Sequence, residues 1–290
     1  MIERIASKSE MRAAVNEARR EGKTVGLVPT MGALHAGHLS LVHTACERCD
    51  VVAVSIFVNP TQFGLGEDFE RYPRPIDADV EQLAAEGVEL VFTPGAEEMY
   101  AAGPQVTVDP GPLAACWEGE VRPGHFAGVA TVVTKLFSIV RPDLAFFGEK
   151  DFQQLAIVRR LALDLDLGVG VIGCPIVRDA GGLALSSRNA FLSAIEREHA
   201  RALSRALKAA AETLARGEVG GEALAVAMRE AVASRASGAV ALDYAAVVDP
   251  NTLEPMSVVD RPARALIAGR VGVTRLIDNC RLVPASGGAQ

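Results

Sequence analysis

The feature that most constrains the fold is an alternation that begins at Thr24. Thr24-Val25-Gly26-Leu27-Val28-Pro29 reads as a short buried strand stopped by proline. Residues 31–37 form a turn rich in glycine and histidine, residues 39–48 read as a helix, and residues 51–58 form an apolar strand ended by Asn59-Pro60. Short apolar runs bounded by turn residues are buried strands, and strands linked through helices build a parallel sheet. The alternation continues with a helix over 77–86, a strand over 88–92, a helix over 128–140, a strand over 144–147, a helix over 151–165 and a strand over 169–174. An amphipathic helix over 8–21 precedes it, with Met11, Ala14, Val15 and Ala18 on one face.

After about residue 188 the pattern changes. Residues 195–216 and 222–235 read as helices, and residues 242–248, 263–267 and 274–279 as strands, with a turn at 269–272. The expected fold class is therefore α/β: a Rossmann-like parallel-sheet domain over 1–185, followed by a smaller α+β lid domain over 186–290 with an antiparallel sheet. Residues 284–290 are expected to be a disordered tail. No internal repeat is visible.

Composition narrows the function classes. The 290 residues are 49% hydrophobic and 22% charged, ordinary globular values, and a chain this long folds without disulfides or structural metal. The formal charge of −7 argues against nucleic acid as partner, since such binders carry a basic face. The longest apolar run, 51–58, is far short of the roughly 20 residues a membrane span needs. The charged stretch 1–20 lacks the apolar core of a secretory signal, and five cysteines, an odd number, suit a reducing, cytoplasmic setting. Cys46 and Cys49 form a C-x-x-C, which without a second pair reads as two small buried residues rather than half a zinc site.

Four segments carry chemistry. Pro29-Thr30-Met31-Gly32-Ala33-Leu34-His35-Ala36-Gly37-His38 follows a strand and opens a helix. A helix N-terminus offers unpaired N–H groups and a positive dipole end to phosphate, Gly32 and Gly37 allow close approach, and two imidazoles three residues apart share a face. The pattern is H-x-G-H rather than the P-loop, and it resembles the arrangement of enzymes that cleave between the α- and β-phosphates. Phe57-Val58-Asn59-Pro60-Thr61-Gln62-Phe63 ends the next strand, where open α/β sheets bind ligands. The neutral amides of Asn59 and Gln62 can orient a carboxylate without quenching its nucleophilicity. Phe147-Gly148-Glu149-Lys150-Asp151-Phe152-Gln153-Gln154 again runs strand, glycine, helix, with Lys150 as a phosphate cation. Leu185-Ser186-Ser187-Arg188-Asn189 offers hydroxyls and a forked cation that can close over a triphosphate. Taken singly, each also reads as an ordinary capped helix or polar turn.

Together these segments, with Tyr72-Pro73-Arg74 and Arg122-Pro123-Gly124-His125-Phe126, resemble the signatures of the pantothenate synthetase (pantoate–β-alanine ligase) family, in order and approximate spacing. The resemblance covers the first domain and the start of the second. It implies an enzyme of pantothenate and coenzyme A biosynthesis with ATP, pantoate and β-alanine as substrates, Mg²⁺ as cofactor and a homodimer as the assembly. Pantoate and ATP would give pantoyl adenylate and pyrophosphate, and β-alanine would then displace AMP. Met31, Gly32, Ala33, Leu34, His35, Ala36, Gly37 and His38 would bind ATP, with His38, His35 and Lys150 catalytic. Gly148, Glu149, Lys150 and Asp151 would hold ribose and phosphates, Val177 would lie by adenine, and Leu185, Ser186, Ser187 and Arg188 would form a phosphate-binding loop. Gln62 and Gln154 would hold pantoate, with Gln62 also near β-alanine, and the neutral-amide reading adds Asn59 to the substrate contacts. The family's metal-associated Asp pair is interrupted here by Ala78, which leaves Asp79 as the expected Mg²⁺ ligand. A surface strand over 106–108 is a candidate for the dimer contact. Another H-x-G-H nucleotidyltransferase, adenylating a phosphate ester, would need a basic or Ser/Thr pocket in place of Asn59 and Gln62. A catalytically silent nucleotide-binding relative would lack one of His35, His38, Lys150 and Arg188, and all four are present.

Overall fold

The computed structural model describes residues 2–64, 66–236 and 238–284, with backbone only for residue 235. The chain forms two compact units, one of Met1–Glu149 with Gln153–Pro175 and one of Lys150–Phe152 with Ile176–Gln290.

The first unit contains β1 (Glu3–Ile5), α1 (Lys8–Arg20), β2 (Val25–Thr30), α2 (Ala36–Cys46), β3 (Val51–Ile56), α3 (Ile76–Ala85), β4 (Leu90–Phe92), the short helices α4 (Ala96–Met99) and α5 (Glu118–Val121), then α6 (His125–Val140), β5 (Leu144–Gly148), most of α7 (Phe152–Asp164) and β6 (Gly170–Cys174). Six parallel strands lie in the order β1-β4-β3-β2-β5-β6. Successive side chains of a strand face opposite sides, and here both sides are apolar. Leu27, Ala53 and Phe147 join Met11, Phe126 and Leu155 in one core, while Val28, Val54 and Phe146 join Val42 and Leu83 in the other. The order reverses at β2, which pairs with β3 on one side and β5 on the other. Ligands of open α/β sheets bind beyond the strand ends at such a reversal. The segments after β2, β3 and β5 are three of the four singled out above.

The expected helices and strands are present with ends shifted by a few residues. β1 was not anticipated, because three residues, Glu-Arg-Ile, hold no periodic signal. Residues 106–108 form no strand: Val106 is exposed, and Val108 N donates to Thr131 Oγ1 at 2.9 Å.

The second unit adds α8 (Ala194–Ala215), α9 (Gly221–Ala236) and the antiparallel sheet β7 (Val240–Val248), β8 (Ala263–Val271), β9 (Thr274–Leu282). The two helices and the sheet share one core around Leu203, Met228 and Ile267. The expected division after residue 185 lies ten residues beyond the division that the contacts give, at Pro175/Ile176. The reason is local. Residues 177–185 fold as a small hairpin in which Leu185 N donates to Val177 O at 2.9 Å. Arg178 clamps it to the sheet through paired bonds of 2.6 and 2.9 Å to the buried Asp278. Residues 150–152 join the same unit: Asn279 Nδ2 donates to Lys150 O at 2.8 Å, and the Arg264 guanidinium lies 4.2 Å over the Phe152 ring. The tail expected to be disordered falls, from residue 285, outside the described residues.

Candidate active site

The turn between β2 and α2 is built tightly. Thr30 Oγ1 donates to Ser55 O at 2.8 Å and accepts Gly32 N at 3.1 Å, tying the end of β2 to β3. Gly32 has φ +80°, and a Cβ there would stand 2.9 Å from both Asp79 Oδ2 and Ile56 Cγ2. Ala33 follows in the left-handed region at φ 51°. Ala33 N and Leu34 N then donate to Asp79 Oδ2 and Oδ1, each at 2.8 Å. Asp79, in the first turn of α3, is 1% exposed. Burial pushes its carboxyl above the usual range, against the pull of the two amide donors.

His35 is the N-cap of α2, with Nδ1 accepting Gly37 N at 3.1 Å. In the neutral ring that bond places the proton on Nε2. His38 N donates to His35 O at 2.8 Å, and the two rings lie 4.1 Å apart. The sequence reading gave phosphate the loop and helix N–H groups. The structure corrects this for four of them, since Ala33, Leu34, Gly37 and His38 all donate within the protein. The two imidazoles stand beside these occupied amides, at the start of α2.

After β3, Asn59 and Gln62 bracket a single 3₁₀ turn, Pro60–Gln62. Asn59 is 1% exposed and spends its amide inside the protein. Its Oδ1 accepts Tyr100 OH at 2.7 Å and Thr61 Oγ1 at 2.9 Å, and its Nδ2 donates to Gln62 Oε1 at 3.0 Å and Gly128 O at 3.2 Å. Asn59 thus aims Gln62 rather than offering its own amide to a ligand. Gln62 Nε2 donates to Met31 Sδ at 3.1 Å, and a thioether is a weak acceptor that a carboxylate or hydroxyl oxygen would displace. Tyr100 and Gly128 were not anticipated. Neither belongs to a motif, and both act through the far ends of their contacts.

The described residues between 61 and 75 carry an aromatic cluster: Phe63 packs edge-on to Phe69 and Tyr72, with Arg74 over Phe69. Arg122 latches it by donating to both Glu67 oxygens at 2.8 and 2.6 Å. Burial alone would raise the Glu67 carboxyl, but the Arg122 bonds and charge hold it below the usual range. His125 completes the network. Its Nδ1 lies 2.8 Å from the Gln62 carbonyl and its Nε2 3.0 Å from Arg122 Nη1. A carbonyl only accepts and a guanidinium only donates, so the ring is neutral with its proton on Nδ1. Burial and the Arg122 charge push its pKa down to about 4. The unfolded chain takes this proton near pH 6.5 and the folded chain near 4, so the associated stability is whole above about 6.5 and lost as pH falls between the two. The loss should reach on the order of 3 kcal/mol. Urea unfolding at several pH values should show a shallower acid decline in His125→Gln than in wild type; coincident slopes would assign the decline to other groups.

Two neighbouring glutamines divide their roles. Gln153 is buried, donating to Leu113 O at 2.8 Å and Cys116 O at 2.9 Å and accepting Glu118 N at 3.0 Å. Gln154 is half-buried on α7, and Gly148 closes β5 against Cys174.

In the second unit, Lys150 Nζ lies 3.4 Å from Asp151 Oδ1. Val177 and Leu185 face each other across the hairpin. Ser186 caps the short turn Ser187–Phe191 by accepting Arg188 N at 3.3 Å. Asn189 anchors that turn from below: its Nδ2 donates to Ala184 O at 3.0 Å and its carbonyl accepts Arg197 Nη2 at 2.9 Å.

Asp79, the expected Mg²⁺ ligand, gives one lone pair of each oxygen to a backbone amide. Among the described residues no group of three or more His, Cys, Asp or Glu is placed to hold a metal. Cys46 and Cys49 are free, Cys46 exposed and Cys49 half-buried, so they are not the two buried residues expected.

A parallel sheet with H-x-G-H after its reversal strand and a neutral amide turn on the next strand fits the class of nucleotide-binding α/β enzymes. The family model described as pantoate-beta-alanine ligase matches residues 3–281, and the chain belongs to that family. It is 54% identical to the pantothenate synthetase of Rubrobacter xylanophilus over 96% of this chain and 98% of that protein. The crystal structure of pantothenate synthetase from Thermus thermophilus superposes with a TM-score of 0.92 at 48% identity, over 98% of this chain and all of that one. The pantoate-beta-alanine ligase of Francisella tularensis, crystallised with β,γ-ATP and β-alanine, superposes with a TM-score of 0.78 at 32% identity, over 97% of each chain.

Proposed function

We propose that this chain joins pantoate to β-alanine at the expense of ATP, through pantoyl adenylate. In the first step a pantoate carboxylate oxygen bonds to the α-phosphorus and the bond to the bridging oxygen of pyrophosphate breaks. In the second the β-alanine nitrogen bonds to the acyl carbon, AMP leaves, and the amine proton passes to solvent. The observation that carries this reading is the pairing, on adjacent strands, of an imidazole couple with an uncharged amide whose present acceptor is only a sulfur.

His35 and His38 supply the hydrogen bonds that strengthen as charge builds on the α- and β-phosphate oxygens. The segment 31–37 shapes the nucleotide's approach. Gln62 and Gln154 orient pantoate without an ion pair, and Asn59 positions Gln62. Lys150 and Arg188 carry charge for the leaving pyrophosphate, with Ser186 and Ser187 on its oxygens. Gly148, Glu149 and Asp151 serve the ribose and phosphates, and Val177 and Leu185 the adenine. Magnesium enters as part of the MgATP substrate, because Mg²⁺ reaches sites of this kind mainly through phosphates and water. An acyl adenylate hydrolyses readily, so the latched segment 61–75 serves to exclude water. The family resemblance further supports a homodimer at work in the cytoplasm. No helix among the described residues is long and apolar enough to cross a membrane.

The test is product analysis. AMP and pyrophosphate should appear only when pantoate is present, and β-alanine should raise the turnover. Pyrophosphate release indifferent to pantoate would favour a nucleotidyltransferase of another substrate class.

A further inference from the structure

We infer that Asp79 is a positioning residue for nucleotide binding: its carboxylate holds the bend over residues 32–34, and through it the entry to α2, in the shape that presents His35 and His38. This rests on the nucleotide-binding reading of that segment.

Three observations converge. Asp79 is among the most buried charged groups of the first unit, and its two oxygens take two consecutive amide donors at 2.8 Å, a charge-assisted pair. Those amides lie 46 and 45 residues away in sequence, so the contact couples α3 to the turn that precedes α2. The bend it grips is not one an unsupported chain prefers. Gly32 and Ala33 are consecutive left-handed residues, and Ala33 has a Cβ that disfavours that region. Gly32 also leaves no room for a side chain, because Asp79 Oδ2 fills the space a Cβ would take. The residue after the gripped pair is His35, whose carbonyl and Nδ1 accept the first N–H groups of α2. A change in the bend therefore rotates the helix start and both imidazoles together.

The experiment uses the full chain and the variant Asp79→Asn, which keeps size but sets an amide N–H₂ against one of the two backbone donors. Two probes separate positioning from metal ligation: ATP with Mg²⁺, and AMP in EDTA. Positioning predicts that affinity for both falls about tenfold or more, that KM for ATP rises while KM for β-alanine stays, and that the Mg²⁺ concentration for half-maximal activity does not move. A metal ligand would leave AMP binding intact and raise the Mg²⁺ requirement, and that result would overturn the inference. Affinities equal to wild type in a less stable but folded variant would overturn it as well, leaving Asp79 a purely structural role. Hydrogen exchange on the wild type needs no variant: the amides of Ala33 and Leu34 should exchange as slowly as those of β2, and rapid exchange would show that the grip does not exist. If wild type itself bound neither nucleotide, the functional reading would fall, and this inference with it.

Discussion

Replacing His38 by alanine should lower the rate of adenylate formation by about two to three orders of magnitude, the usual cost of losing one aimed donor to developing charge. Folding should be nearly untouched, within about 1 kcal/mol, because the side chain sits half-exposed on the first turn of α2 and belongs to none of the cores. The argument is one of donor supply. Four amide N–H groups around the turn are occupied by Asp79, by His35 Nδ1 and by His35 O, so they cannot substitute for a missing imidazole. A single-turnover measurement of AMP formed from ATP and saturating pantoate and β-alanine reads the loss. A variant within fivefold of wild type would remove His38 from the chemistry.

Gly128→Ala should weaken pantoate binding although Gly128 lies outside the recognised motifs. A Cβ at Gly128 would stand 2.3 Å from Thr61 O, 2.6 Å from Thr61 C and 2.7 Å from Gln62 N. These are backbone atoms, which cannot swing aside as a side-chain tip can. Either α6 retreats or the turn carrying Gln62 moves, and Asn59 loses its bond to Gly128 O in both cases. Overpacking of this kind costs about 1–3 kcal/mol of stability. A shift of Gln62 by an ångström can cost as much as about a hundredfold in rate. KM for pantoate should therefore rise about tenfold or more, and further than KM for ATP, since Gln62 touches the β2–α2 turn only through the Met31 thioether. Steady-state kinetics at a temperature where the variant is folded decides it; an unchanged KM for pantoate would mean that Gln62 does not bind that substrate.

The parts of this molecule written locally were legible in its sequence. Val25 to Thr30 and Val51 to Ile56 are apolar runs closed by turn residues, and burial on both faces is their plain consequence. His35 and His38 share a helical turn by spacing alone. Other roles depend on long-range contacts that no spacing encodes. Asp79 was expected to be a metal ligand because the resembled family carries a metal-associated Asp pair after Tyr-Pro-Arg, yet its direction is set by amides in another loop. Asn59 looked like a ligand contact because it ends a strand, yet Tyr100 and Gly128 absorb its amide. The motif Arg122-Pro123-Gly124-His125 was visible, but its function, pinning Glu67 and the Gln62 carbonyl, appears only when α6 is laid against the turn after β3. Likewise, the division between the units sits before the hairpin 177–185 because Arg178 pairs with Asp278, one hundred residues on.

The central claim is that activation of pantoate on ATP precedes and does not need the amine. Exchange of labelled pyrophosphate into ATP tests it most directly. With pantoate, Mg²⁺ and ATP but no β-alanine, label should enter ATP, and omitting pantoate should abolish the exchange. Exchange that requires β-alanine, or that proceeds without pantoate, would contradict the account.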